Sequence, residues 1–359
     1  MINVTKTFLP PQEEYNAILK RAWDTGWMTN RGVLVKELEQ KLQNYLKSRP
    51  LIAMTNGTLP LQIAIKALGL NGEIITTPFS YVATTSSIVW EGCTPVFVDI
   101  HPEYLTIDET QIEAAITDKT SAILATHVFG NPCEVEAIDK IAKKHSLKVI
   151  YDAAHCFGVE YKGQSIFNFG DVSTCSFHAT KLFHTGEGGA LFCNDDRYKQ
   201  MYLHHNFGHD GEDVFEGIGI NAKMSEPQSA MGLSVLKYQK KIIDDRKRIT
   251  ENYGSHFCNF KSIQIICLRP GTDWNYSYYP IIFKTEELLL KVKDRLNSQQ
   301  IYPRRYFYPS LNLMGYVNDF KCPISESIAK RILCLPLYYN LKEKDQNNIS
   351  AIIKKAIND

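Results

Sequence analysis

The feature that most constrains this fold is an alternation, from about residue 50 to 195, of short β-branched apolar runs with amphipathic stretches. Glu73 to Thr77, Pro95 to Asp99, Ala122 to His127, Lys148 to Tyr151, Thr174 to Phe177 and Ala190 to Cys193 read as buried strands, with segments such as Pro132 to His145 as helices between them. Runs so short and so uniformly apolar are covered on both faces, which predicts a mostly parallel sheet flanked by helices, an α/β architecture. Such sheets gather their ligands at the carboxyl ends of the strands. Residues just after the apolar runs are therefore the first places to look for chemistry.

Beyond Lys237 the pattern changes to a charged helical stretch reaching about Phe260, an apolar run from Tyr278 to Phe283, a helix from Glu286 to Leu296 and a terminal helix after Leu341. The expected division is a large α/β domain over 1–236, which includes an N-terminal substrate segment, and a smaller C-terminal α+β domain over 237–359. A chain of 359 residues, 44% of them hydrophobic, has enough apolar surface for both cores. Forty basic residues balance 39 acidic ones along the whole chain, which disfavours a nucleic-acid or polybasic membrane binder. No apolar run approaches the roughly 20 residues of a membrane helix and no leader pattern opens the chain, so a cytoplasmic protein is expected. Nine cysteines without a C-x-x-C pair read as ordinary thiols. His204, His205 and His209 lack an accompanying carboxylate motif, so no metal is expected.

Three motifs fall where the fold places chemistry. Thr55-Asn56-Gly57-Thr58 follows an apolar run and opens a stretch with Leu61, Ile65 and Leu68 at helical spacing; a helix N-terminus with a glycine can hold a phosphate, although the motif taken alone reads more readily as a plain N-cap at Thr58. Asp152 ends the run Val149-Ile150-Tyr151, where a carboxylate can face a ligand cation or simply start a turn. Lys181 comes shortly after another strand, in Ser176-Phe177-His178-Ala179-Thr180-Lys181, followed by Gly186-Glu187-Gly188-Gly189. A desolvated lysine can become a Schiff-base nucleophile, whereas most lysines are solvated. Taken together, a phosphate loop, a carboxylate and a lysine are the three anchors that pyridoxal 5′-phosphate (PLP) requires. Tyr81, after the second strand, offers a ring for stacking or is a core tyrosine.

The chain resembles the DegT/StrS-type nucleotide-sugar aminotransferases, of the fold-type I PLP class. The resemblance runs through Trp27 to Gly32, Asn56-Gly57-Thr58, Pro95 to Asp99, His127, Asp152, Ser176 to Lys181, Gly219 to Glu226 and Leu335 to Tyr338. It implies Gly57, Thr58 and Ser176 on the cofactor phosphate, Tyr81 on the ring face and Asp152 on the ring nitrogen. Lys181 then bonds to the aldehyde, and His155, where many relatives carry Gln, approaches the phenolic oxygen. Asn221 would reach the phosphate of a second subunit, which implies a homodimer with shared sites; Lys223 stands where an Arg is common. Thr29, Asn30, His184, Arg304, Arg305 and Tyr306 are the positions assigned to substrate, the two arginines beside aromatics suiting a nucleotide diphosphate.

Ser176-Phe177-His178 further resembles relatives that aminate C-4 of a sugar, rather than the Ser-Phe-Tyr-Pro of those acting at C-3. The implied reaction moves the amino group of L-glutamate to a dTDP-linked 4-keto-6-deoxy sugar. A 3-keto sugar aminotransferase is the neighbouring possibility, and a catalytically silent binding module on the same fold is the one from another class. Sugar dehydratases of this family replace the lysine by histidine, which Lys181 argues against.

Overall fold

The computed structural model describes residues 1–318 and 320–359. A seven-stranded sheet forms its centre, in the order Leu51–Met54, Gly189–Cys193, Val172–Ser176, Lys148–Asp152, Thr120–Thr126, Glu73–Thr76 and Thr94–Phe97. Gly189–Cys193 pairs antiparallel with both its neighbours, and every other pairing in the sheet is parallel. The expected strands all appear, with ends displaced by a residue or two, and Leu51–Met54 completes the sheet.

Alternate residues of these strands supply two cores, as the pleat requires. Ile75, Ile123, Ala125, Val149, Tyr151 and Phe192 face one, where Leu34, Leu38 and Leu42 of helix Val33–Leu46 and Ile138 of helix Val135–His145 close over them. Ile52, Ile74, Leu124, Ile150 and Leu191 face the other, against Leu61, Ala64 and Ile65 of helix Leu59–Ala67. The helix expected from Pro132 begins at Val135, the backbone N–H of Cys133 being donated instead to Nδ1 of His127.

The charged stretch expected beyond Lys237 is helix Gln239–Phe257, and a separate helix, Glu226–Leu236, precedes it. A capping box between Ser225 and Gln228 starts Glu226–Leu236. Ile249, Tyr253 and Phe257 of helix Gln239–Phe257 pack on an antiparallel sheet of Ile263–Ile265, Tyr279–Phe283 and Ile332–Leu335, with helices Glu286–Ser298 and Glu343–Asn358 completing that core. The first residues join it: Ile2–Asn3 pairs with Ile301–Tyr302, and Leu337 donates its N–H to the carbonyl of Val4. Among the described residues no helix is long and apolar enough to cross a membrane.

Candidate active site

Lys181 lies in the connection between strands Val172–Ser176 and Gly189–Cys193. That connection is closed on itself by backbone bonds from Phe177 to Gly188, Ala179 to Gly186 and Thr185 to Phe177. The lysine is half-buried in the wall of a cavity of about 260 Å³, its Nζ 5.9 Å from the ring centre of Tyr278. Among the described residues Nζ has neither a hydrogen bond nor an ion pair. Burial lowers its pKa, opposed by the negative charge of Asp152 and by Tyr306, so its free amine is more accessible than that of a surface lysine.

Asp152 closes strand Lys148–Asp152 and faces the same cavity while itself buried. Thr84 Oγ1 donates to its Oδ2 at 2.6 Å, and the N–H of Ala154 to Oδ1 at 3.1 Å. Burial pushes this carboxyl up; the bonds from Thr84 and Ala154 and the charge of Lys181 pull it back. His155 is buried beside it, with Nδ1 accepting the N–H of Phe129 at 3.1 Å, which places the ring proton on Nε2. Burial, and secondarily the charge of Lys181, holds this imidazole neutral by driving its pKa far down.

At the opposite end, Asn56 rather than Thr58 caps helix Leu59–Ala67. Its Oδ1 accepts the N–H groups of Thr58 and Leu59, both at 2.9 Å. The Thr58 side chain makes no cap bond, and Gly57, Thr58 and Ser176 share this wall of the cavity. A Cβ on Gly57 would sit 2.7 Å from the Cβ and 2.8 Å from the Oγ of Ser176, so only glycine permits the loop to approach so closely. Tyr81, at the N-terminus of helix Val82–Trp90, is 57% exposed at the rim, which excludes its reading as a core tyrosine.

Of the six residues expected to meet substrate, the structure brings Arg304 and Tyr306 to the cavity, with the Arg304 guanidinium 5.1 Å from the Tyr306 ring centre. Arg305 does not reach it. The backbone bridge of Arg304 to Cys334 keeps this segment extended, so neighbouring side chains point oppositely, and Arg305 pairs with Glu286 and stacks on Tyr308 instead. His184 is also removed from the cavity: it is buried, Nε2 bonds the carbonyl of Phe8 at 2.6 Å, and Nδ1 accepts the N–H of Gly186. It pins the N-terminal segment to the lysine loop. Thr29, Asn30 and Asn221 are exposed, and none lines the cavity of its own chain. Lys223 lies with Nζ 4.5 Å from the ring centre of Phe207.

Several lining residues escaped the sequence reading. Ser80 and Thr126 stand behind Asp152, Phe307 follows Tyr306 in the segment of the two arginines, and Tyr278 arrives from the C-terminal part, far from any local motif. His178 and Glu187 meet at the mouth, 3.6 Å apart. Glu226 acts at a distance: fully buried, its carboxylate accepts the N–H groups of Leu34 at 2.7 Å and Val35 at 3.1 Å, capping helix Val33–Leu46 from another element. Gly32 is required there, since a Cβ would sit 2.8 Å from that carboxylate carbon.

A parallel sheet with a free lysine, a buried carboxylate and a glycine-serine cradle around one cavity is the arrangement of a fold-type I PLP-dependent transferase. The model of the DegT/DnrJ/EryC1/StrS aminotransferase family matches residues 11–354, and the chain belongs to this family. It is an aminotransferase. A dTDP-4-amino-4,6-dideoxy-D-glucose transaminase of Shigella dysenteriae is 40% identical over 99% of this chain and 98% of its own. A GDP-perosamine synthase of Escherichia coli O157:H7 is 30% identical over 94% and 93%. Among solved structures, DesI in the presence of its TDP-sugar product matches with a TM-score of 0.94 at 31% identity, covering 99% of this chain and 93% of that one. Helicobacter pylori PseC, an aminotransferase involved in the biosynthesis of pseudoaminic acid, matches at 0.91 and 27%, covering 99% of each.

Proposed function

We propose that this aminotransferase binds PLP in the cavity described above and moves the amino group of L-glutamate to C-4 of a dTDP-linked 4-keto-6-deoxy sugar, giving dTDP-4-amino-4,6-dideoxyglucose. The observation that carries the cofactor assignment is the half-buried, unpaired Lys181 sharing one cavity with the buried Asp152. The substrate assignment rests on the 40% identity to the Shigella transaminase and on Ser176-Phe177-His178 before the lysine loop.

The side chains fit the cofactor group by group. Gly57, Thr58 and Ser176 would take its phosphate, Tyr81 its ring face, Asp152 its ring nitrogen and the Nε2–H of His155 its phenolic oxygen. The tautomer fixed by Phe129 makes His155 a donor in the place where a glutamine amide would serve. When bound, PLP supplies an electron-withdrawing ring that makes the α-C–H of the amino donor acidic. Lys181 Nζ, with its lowered pKa, removes the proton from the donor's α-carbon and later returns one to the sugar's C-4. Arg304, without an acid partner among the described residues, receives the anionic part of the substrate.

The assembly we propose is a homodimer with Asn221 completing the partner's phosphate site. Support comes from its exposed segment, where Phe207, Phe215, Ile218 and Ile220 also turn outward, surface that a second copy would cover. Thr29 and Asn30 would meet substrate from the same interface. We place the protein in the cytoplasm, where its nine free cysteines remain reduced. The division we propose is a large domain over 1–236 and a smaller one over 237–359, with Ile2–Asn3 pairing onto residues 301–302 of the second.

The test is spectroscopic. The cofactor band of the purified protein should bleach with glutamate and return with dTDP-4-keto-6-deoxyglucose. Bleaching without recovery by this sugar refutes the proposed acceptor.

A further inference from the structure

Behind Asp152 runs a line of hydroxyl groups. Thr126 Oγ1 donates to Ser80 Oγ at 3.0 Å, Ser80 Oγ lies 2.7 Å from Thr84 Oγ1, and Thr84 Oγ1 donates to Asp152 Oδ2 at 2.6 Å. All four residues are buried, and Ser80, Thr126 and Asp152 reach the cavity wall. They come from three separate elements: the turn before helix Val82–Trp90 and that helix itself, strand Thr120–Thr126, and strand Lys148–Asp152.

The chemistry of the line gives it a direction. An ionised carboxylate only accepts, so the single proton of Thr84 is committed to Asp152. Thr84 must then accept from Ser80, and Ser80 from Thr126. Hydroxyls aligned this way polarise one another, and the last bond strengthens. Burial alone does not produce such pairing in this helix: the hydroxyls of Thr85 and Ser87, equally buried, have no partner among the described residues.

We infer that Thr126, Ser80 and Thr84 form a positioning relay that orients the Asp152 carboxylate and keeps it ionised against its burial, so that a ring-nitrogen proton stays on the cofactor. This rests on the cavity being the PLP site. The other titratable groups around Asp152 are the Lys181 ammonium, the thiols of Cys156 and Cys175, and the His155 imidazole, which burial keeps neutral. Among the described residues Lys181 brings the one positive charge there, while the Thr84 hydroxyl and the Ala154 N–H donate directly to the carboxylate, support that does not depend on the state of Lys181.

The experiment loads wild type, Thr84→Val, Thr84→Ser and Ser80→Ala with PLP labelled with ¹⁵N in the ring, and records the ring-nitrogen chemical shift and cofactor affinity. Thr84→Val should move the resonance toward neutral pyridine and weaken cofactor binding on the order of tenfold to a hundredfold, the range for a hydrogen bond to a charged group. Thr84→Ser should restore both. Ser80→Ala, which leaves Thr84 in place, should move the resonance part of the way and keeps the test available if Thr84→Val does not fold. A ring nitrogen equally protonated in wild type, Thr84→Val and Ser80→Ala overturns the relay while leaving the cofactor assignment intact. Failure of wild type to bind PLP overturns both.

Discussion

Replacing Glu226 by alanine should destabilise the protein strongly although the residue lies outside the cavity. The carboxylate is fully buried, and its two bonds satisfy the N–H groups of Leu34 and Val35 at a helix start where Gly32 provides no side-chain cap. Removing it leaves two buried donors, each costing about 1–3 kcal/mol. It also removes a negative charge from a helix N-terminus, about 0.3–1 kcal/mol. Partial collapse of the site reduces the sum, so roughly 3–5 kcal/mol is expected. With unfolding entropy near 2.1 cal/mol/K per residue, a chain of 359 residues loses roughly 4–7 °C of melting temperature if it unfolds as one unit. Differential scanning calorimetry of the apoprotein checks this, and urea midpoints at 25 °C check that the scan is not distorted by aggregation. Glu226→Gln, which keeps one acceptor, should fall between the two. A melting temperature for Glu226→Ala within about 1 °C of wild type would refute the reasoning, because no helix start can lose both acceptors so cheaply.

Other expectations follow from the same geometry. Asp152→Ala should reduce the turnover number by at least about a hundredfold with the fold intact by circular dichroism, since the ring nitrogen loses its counter-charge; turnover near wild type would remove that role. Gly57→Ala should weaken cofactor affinity, measured by fluorescence titration, because its Cβ would overlap Ser176; unchanged affinity would mean the loop yields. Burial holds His127 neutral down to about pH 3 and His205 down to about pH 4. The unfolded chain binds these protons from pH 6.5 downward, so stability is full above pH 6.5 and is lost as pH falls below it, each histidine adding a slope of about 1.4 kcal/mol per pH unit. Urea midpoints between pH 7 and 5 that fail to fall would contradict this.

Much of the sheet was legible because strands buried on both faces leave unbroken apolar runs, and Lys181 and Asp152 were legible because they stand at the ends of such runs. What the sequence conceals is set by long-range placement. Arg304 and Arg305 are adjacent and chemically alike, yet only the extended backbone at their bridge to Cys334 decides which one faces the cavity. His184, close to Lys181 in sequence, turns away because the carbonyl of Phe8 claims it. Asn56 displaces Thr58 as the cap because its longer side chain reaches two N–H groups. The Thr84 hydroxyl comes three residues after Tyr81, and nothing local to that stretch records that Asp152 comes to meet it. Glu226 shows the same limit, capping a helix that begins 193 residues earlier.

The central claim is that Lys181 is the residue that holds the cofactor. Incubating the protein with PLP, reducing it with borohydride and mapping the peptides by mass tests this directly. One pyridoxyl group per chain on Lys181, absent from Lys181→Ala, is the predicted result. A label on another lysine, or none on a protein shown to be folded, would contradict the account.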